Sequence, residues 1–116
     1  MFAATRVLTL AAIAEIATGL ALVLAPSLVG QVLLGDGLAG VATTVARVAG
    51  IALIAFGIAC WPGTPLLGML TYSTAVALYL AYLGSTGAST GVLLWPAVVL
   101  HLIISALLAR SYAKRL

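Results

Sequence analysis

The sequence predicts an all-α integral membrane protein, an antiparallel four-helix transmembrane bundle with a short interfacial helix after the first span. Three observations predict it. Apolar residues make up 65% of the 116 residues and charged residues only 6%, against roughly 45–50% and about 25% in soluble domains. The mean hydropathy is +1.32. Four apolar stretches also approach the length of about 20 residues, at about 1.5 Å of rise each, that crosses a hydrocarbon core of about 30 Å. A soluble domain of this size must cover a large surface with polar groups. This chain has five Lys and Arg and two Asp and Glu in all. A soluble globular enzyme and a disordered chain are both excluded.

The spans are read in order, as one membrane domain over residues 1–116. The first runs from Ala4 to Ala25 and stops at Pro26. Between Pro26 and Ala39, Leu28, Val29, Val32 and Leu33 fall at helical spacing, with Ser27, Gly30 and Gln31 between them. Pro26 suits a first helical turn and Gly35 a helix stop. This segment reads as a short helix in the interface, or equally as an apolar loop packed on the bundle. The second span runs from Gly40 to Cys60 and ends at the turn Trp61-Pro62-Gly63-Thr64-Pro65. The third covers Leu66 to Leu83 and ends at Gly84. The loop Gly84 to Thr90 is built of small residues, and Ser89 or Thr90 can cap the fourth helix. The fourth span covers Gly91 to Ala109 and ends at Arg110.

Charge sets the expected orientation. Four spans put both termini on one side. Arg6 and the cluster Arg110, Lys114 and Arg115 mark that side as cytoplasmic, while Asp36 lies opposite. The expected location is the cell (inner) membrane, with both termini cytoplasmic. Trp61, Tyr82, Trp95 and Tyr112 fall near span ends, as an aromatic belt does. Arg6 before an apolar run has the look of a secretory leader, but Glu15 interrupts that run and it resumes to Ala25. The segment is therefore expected to be an uncleaved span. Cys60 is the one cysteine, which excludes an intrachain disulfide and a CxxC pair. The net charge of +3 is not a nucleic-acid signal. The expected partners are the lipid bilayer, a small lipophilic ligand, and a second copy or a larger membrane complex.

The residues that cost energy point to function. A charge at a helix centre costs about 2.5–3.5 kcal/mol on insertion scales, so it is paired or functional. From the helical rise, Glu15 lies about 16 Å from the cytoplasmic side, Arg47 about 20 Å, His101 about 15 Å and Tyr79 about 20 Å. One such residue per helix falls in one slab. Glu15 shares a face with Ala11, Ala12, Thr18 and Gly19. Arg47 shares one with Thr43, Gly50 and Ile54, and Ala46 and Gly50 form a small-xxx-small pair, which lets helix backbones approach closely in lipid. Tyr72, Tyr79 and Tyr82 form a stripe on the third helix. His101 and Ser105 are one turn apart on the fourth. The candidate ligand-binding residues are Glu15, Arg47, Tyr72, Tyr79, His101 and Ser105. Each has a structural reading beside it: a Glu15–Arg47 ion pair that sets register, a hydrogen-bonded interior histidine, and tyrosines that pack.

Several chemistries lack support. A haem with two histidine ligands would need His101 from two chains, a zinc site lacks ligands, and no cofactor is assigned. The first span with Gly19 and Pro26, the stretch Ala46-Arg47-Val48-Ala49-Gly50 and the overall length resemble the small four-helix membrane proteins of bacteria loosely called DoxX-like. The stretches around Tyr72 and from Trp95-Pro96 to His101 are also similar to uncharacterised bacterial membrane proteins of this size. The resemblance implies a four-helix membrane fold, and the Ala-, Leu- and Gly-rich composition fits a bacterial source. Some relatives are oxidoreductase-associated subunits, and no catalytic residue carries over. The function expected from the residues is binding or carrying a small lipophilic or protonatable molecule at the polar slab. The alternatives are an accessory subunit whose Glu15–Arg47 pair only specifies packing, and an intramembrane enzyme with Glu15 or His101 as general base.

Overall fold

The computed structural model describes the backbone of residues 2–61 and 63–116, and the side chains of residues 6–61 and 63–116. The expected Pro62 turn position lies outside the described residues. The chain is all-α. Helix α1 spans Phe2–Leu24, the short α2 Pro26–Val29 continues as a π-helical turn Gly30–Leu34, and α3 spans Val41–Cys60. Helix α4 spans Pro65–Thr86 and α5 spans Leu94–Arg115. Helices α1, α3, α4 and α5 are each long and apolar enough to cross a membrane.

Local chemistry explains most of the boundaries. Pro26 has no N–H and occupies the first turn of α2. Gly35, at φ 86°, ends the π turn, and its N–H donates to the Gln31 carbonyl. Pro65 opens α4, and Thr64 caps it by accepting from the Leu67 N–H at 3.1 Å. The fourth long helix departs from expectation. It begins at Leu94 rather than Gly91, and neither Ser89 nor Thr90 caps it, since the residue before the helix is Leu93 with no side-chain bond. The Ser89 N–H instead donates back to the Leu83 carbonyl at the end of α4. Helix α5 then runs on past Ala109 to Arg115, because Tyr112, Lys114 and Arg115 tolerate a helix and the cations suit its C-terminal dipole.

The chain divides into two compact units, residues 1–68 and 69–116. In the first, α1 and α3 pack closely and antiparallel. A methyl group added at Gly19 would lie 2.5 Å from the Gly50 carbonyl oxygen, and one added at Gly50 would lie 2.6 Å from the Gly19 carbonyl oxygen. A methyl at Gly57 would press on Ile16 and on the Ala12 carbonyl. Ala12, Gly19, Ala46, Gly50 and Gly57 are accordingly buried. Ala12 and Gly19 of the expected α1 face and Gly50 of the expected α3 face thus form the α1–α3 contact, while Ala11 and Thr18 stay exposed, and the register sets Gly19 against Gly50 and Ala12 against Gly57. Dispersion between closely approaching backbones drives this contact, because lipid leaves little hydrophobic force between helices. The first turn of α4 joins the same unit, with Gly68 against Ala55 and Ala59 of α3.

In the second unit, α4 and α5 are joined by the loop after Thr86. Gly84 admits the Leu94 and Trp95 side chains, since a methyl there would lie 2.7 Å from the indole. Ser73, Val76, Ala77 and Leu83 on α4 and Val98 and Ser105 on α5 are buried. Large apolar side chains point outward in both units, with Leu10 66% and Leu78 63% exposed, as a bilayer-facing surface requires.

The seam predicts a mutational contrast. Gly50→Val should overpack the α1–α3 contact and cost about 1–3 kcal/mol. Gly91→Ala, where an added methyl meets open space, should stay within about 0.5 kcal/mol. Thermal unfolding in detergent measures both, and equal Tm values would remove the seam as a source of stability.

Candidate functional site

The α1–α3 register decides the fate of the two mid-span charges. Arg47 donates from Nε to the Val23 carbonyl oxygen at 3.2 Å. Helix α1 ends at Leu24, so the Val23 carbonyl belongs to the last turn, where acceptors have no intrahelical donor. Pro26 deepens that shortage, because it offers no N–H to the Leu22 carbonyl one turn back. Arg47 therefore caps α1, placing its charge at the negative end of the helix dipole.

Glu15 is elsewhere. The expected Glu15–Arg47 ion pair is not formed. With Gly19 set against Gly50, Arg47 is level with Val23 and lies about 12 Å along the axis from Glu15, eight residues away at about 1.5 Å each. The depth estimates had placed the two together because a few residues of uncertainty at each span end move a level by several ångströms. Glu15 instead borders a cleft of about 110 Å³ between α1 and α3, walled by Leu8, Ala11, Ala12, Phe56, Gly57 and Cys60. Phe56 and Cys60 are not among the candidate site residues read from the sequence. The face Ala11, Ala12 and Glu15 was visible there, but its partner on α3 depends on register.

The α4–α5 unit brings Tyr72 and His101 together. Their ring centroids are 6.1 Å apart and the planes cross at 62°, an edge-to-face contact. His101 Nδ1 lies 2.8 Å from the Ala97 carbonyl oxygen. A carbonyl only accepts, so Nδ1 carries a proton there, and the neutral ring presents Nε2 as an acceptor. Among the described residues Nε2 has no partner. Ser105 Oγ donates to the His101 carbonyl at 2.7 Å, so its proton is committed to its own helix. Tyr79 is two turns along α4 from Tyr72, on the same face and toward the α4–α5 loop. Its hydroxyl is buried without a hydrogen-bond partner. Tyr82, the third member of the stripe, is 63% exposed, as a belt residue is.

The candidate residues therefore sort by what their polar atoms touch. Arg47 and Ser105 are tied to main-chain carbonyls. Glu15, Tyr79 and the Nε2 of His101 are left with capacity to spare.

No family model, curated protein or solved structure matches the chain, so the DoxX-like resemblance rests on the sequence pattern alone.

The separation of the charges predicts that they act independently. Arg47→Gln should destabilise by about 1.5–3 kcal/mol, the worth of a hydrogen bond from a charged donor. Glu15→Gln should be neutral or stabilising, since it removes a mid-span carboxyl without an ionic partner. The double variant should equal the sum within about 0.5 kcal/mol. A coupling of more than about 1 kcal/mol in a thermal double-mutant cycle would restore the ion pair.

Proposed function

We propose that the protein binds a small lipophilic molecule bearing a hydroxyl or carbonyl group, at the α4–α5 unit. The observation that carries this reading is the orphaned Tyr79 hydroxyl. A buried donor without a partner costs about 1–3 kcal/mol, and such groups call for a specific reason such as an unseen partner. Packing would be served by Phe. His101 adds a complementary atom, since its ring is fixed by Ala97 and Tyr72 and keeps an acceptor lone pair free on Nε2. A ligand hydroxyl can donate to Nε2, and a hydroxyl or carbonyl oxygen can accept from Tyr79. Tyr72 supplies an aromatic wall. Ionisable and polar residues within spans are a functional-site hypothesis by default, and among the described residues the Tyr79 hydroxyl and the His101 Nε2 have no hydrogen-bond partner. Arg47 and Ser105 do, so they belong to the architecture in this proposal.

The membrane setting completes the proposal. The chain spans the cell membrane with both termini cytoplasmic, the side favoured by Arg6, Arg110, Lys114 and Arg115. The short helix from Pro26 to Leu34, whose Val32, Leu33 and Leu34 are exposed, lies in the opposite interface.

Two measurements test these statements. Protein purified in mild detergent should carry a lipophilic molecule detectable by mass spectrometry of an organic extract. His101→Leu and Tyr79→Phe should each lose it without lowering Tm. If wild type and both variants carry the same material in equal amount, the binding reading fails and a structural role stands. Separately, a cytoplasmic reporter fused to either terminus should be active, and an active exported reporter at the C-terminus would reverse the orientation.

A further inference from the structure

Helix α5 runs on to Arg115 and carries its cations past the apolar run that ends at Ala109. At about 100° per residue, Leu100, Ile103, Leu107, Arg110 and Lys114 fall within about 80° of the helix circumference. All are exposed. Val98 and Ser105, the buried residues of this helix, lie on its opposite side. One outward face therefore begins as hydrocarbon and ends as positive charge. Its dimensions match those of one leaflet. Leu100 to Arg110 rises about 15 Å, half of a hydrocarbon core of about 30 Å. Arg110 to Arg115 rises about 7.5 Å, and a headgroup layer is about 5–7.5 Å thick. The α4–α5 unit offers these cations no counter-charge. The two acids of the chain are Glu15 and Asp36, so residues 69–116 hold no carboxylate side chain. Ser111, the polar neighbour of Arg110, returns its hydroxyl to the Leu107 carbonyl at 3.0 Å.

We infer that this face of α5 binds an anionic phospholipid. An acyl chain lies along Leu100, Ile103 and Leu107, and Arg110 and Lys114 meet the phosphate. Side chains at i and i+4 are neighbours on a helix, so both reach the same group. The guanidinium brings a fork of N–H donors and the ammonium a compact charge, and both are strong partners for phosphate oxygens. A zwitterionic phospholipid fits the same strip but brings its own ammonium, which offsets the gain. A soluble phosphate ester fits the cations but leaves the apolar strip unused. The inference needs α5 to cross a membrane, as its length and hydropathy allow. It is independent of the Tyr79 and His101 reading and of which way the chain is inserted.

The test uses the purified full-length protein in a non-ionic detergent, titrated with an equimolar mixture of phosphatidylglycerol and phosphatidylcholine of equal chain length. Native mass spectrometry counts the lipids retained. The first lipid bound should be phosphatidylglycerol, with a Kd about fivefold or more below that of phosphatidylcholine, since one cation near an anionic surface supplies about 1 kcal/mol. Arg110→Gln combined with Lys114→Gln should bring the ratio close to one. Arg110→Lys keeps the charge and should keep the preference. Arg6→Gln removes an exposed cation from the other unit and should leave the preference as it is. Should the double variant melt lower than the wild type, Lys114→Gln alone, in the last turn, should still reduce the ratio. Equal Kd values for the two lipids would overturn the anionic class. A preference that survives the double substitution, or that Arg6→Gln abolishes, would overturn this face. Displacement of the bound phosphatidylglycerol by excess glycerol phosphate would overturn a lipid as the occupant.

Discussion

Gly19 and Gly50 meet backbone to backbone, and the arrangement of the α1–α3 unit follows from that contact. Neither glycine can carry a side chain without striking the other helix's carbonyl oxygen. Two helices held this closely have little freedom to slide, and the next contact, Gly57 against Ala12 and Ile16, fixes the same register. In lipid this matters more than in water. Apolar side chains gain little by leaving a hydrocarbon solvent, so shape complementarity between small residues does what hydrophobic burial does in a soluble core. Register then assigns each polar side chain its neighbour. Arg47 comes level with the end of α1, and Glu15 comes level with a gap in the wall.

A membrane core raises the cost of an unsatisfied polar atom, and this chain meets that cost in two ways. Some side chains satisfy the backbone. Arg47 supplies a donor where Pro26 and the helix end leave carbonyls short, and Thr18 and Ser105 return their hydroxyls to the preceding turn. Others are held ready but unspent. His101 is the clearest case. One ring nitrogen is anchored to Ala97 and the ring edge is set by Tyr72, so the free nitrogen has a defined direction. Orientation of one imidazole nitrogen by a carbonyl on the other is a general device for presenting a lone pair to a partner. The contrast between spent and unspent groups, more than the mere presence of ionisable residues, separates architecture from candidate site.

Much of this was legible in the sequence. Length and hydropathy determined the four long helices, because a segment crossing a bilayer must be apolar and must satisfy its own hydrogen bonds. Pro26 and Gly35 determined where the short helix starts and stops, since ring closure and a positive φ are properties of single residues. The small-residue faces on α1 and α3 were readable at i, i+3 and i+4 spacing. The candidate polar residues were also legible, because charge in an apolar run is conspicuous.

What only the tertiary structure decided is which of these residues meet. A sequence states spacing within a helix but not the offset between two, and at about 1.5 Å per residue a few residues of uncertainty carry Arg47 from the middle of α1 to its end. That offset turned an expected ion pair into a helix cap and left Glu15 without an ionic partner among the described residues. The start of α5 was hidden for a related reason: Ser89 and Thr90 are good caps locally, but the Ser89 N–H is drawn back to Leu83 at the end of α4. Tyr79 and His101 could be picked out from the sequence, yet whether their polar atoms are partnered is a property of the packed chain, because hydrogen-bond satisfaction depends on atoms that spacing alone does not bring together.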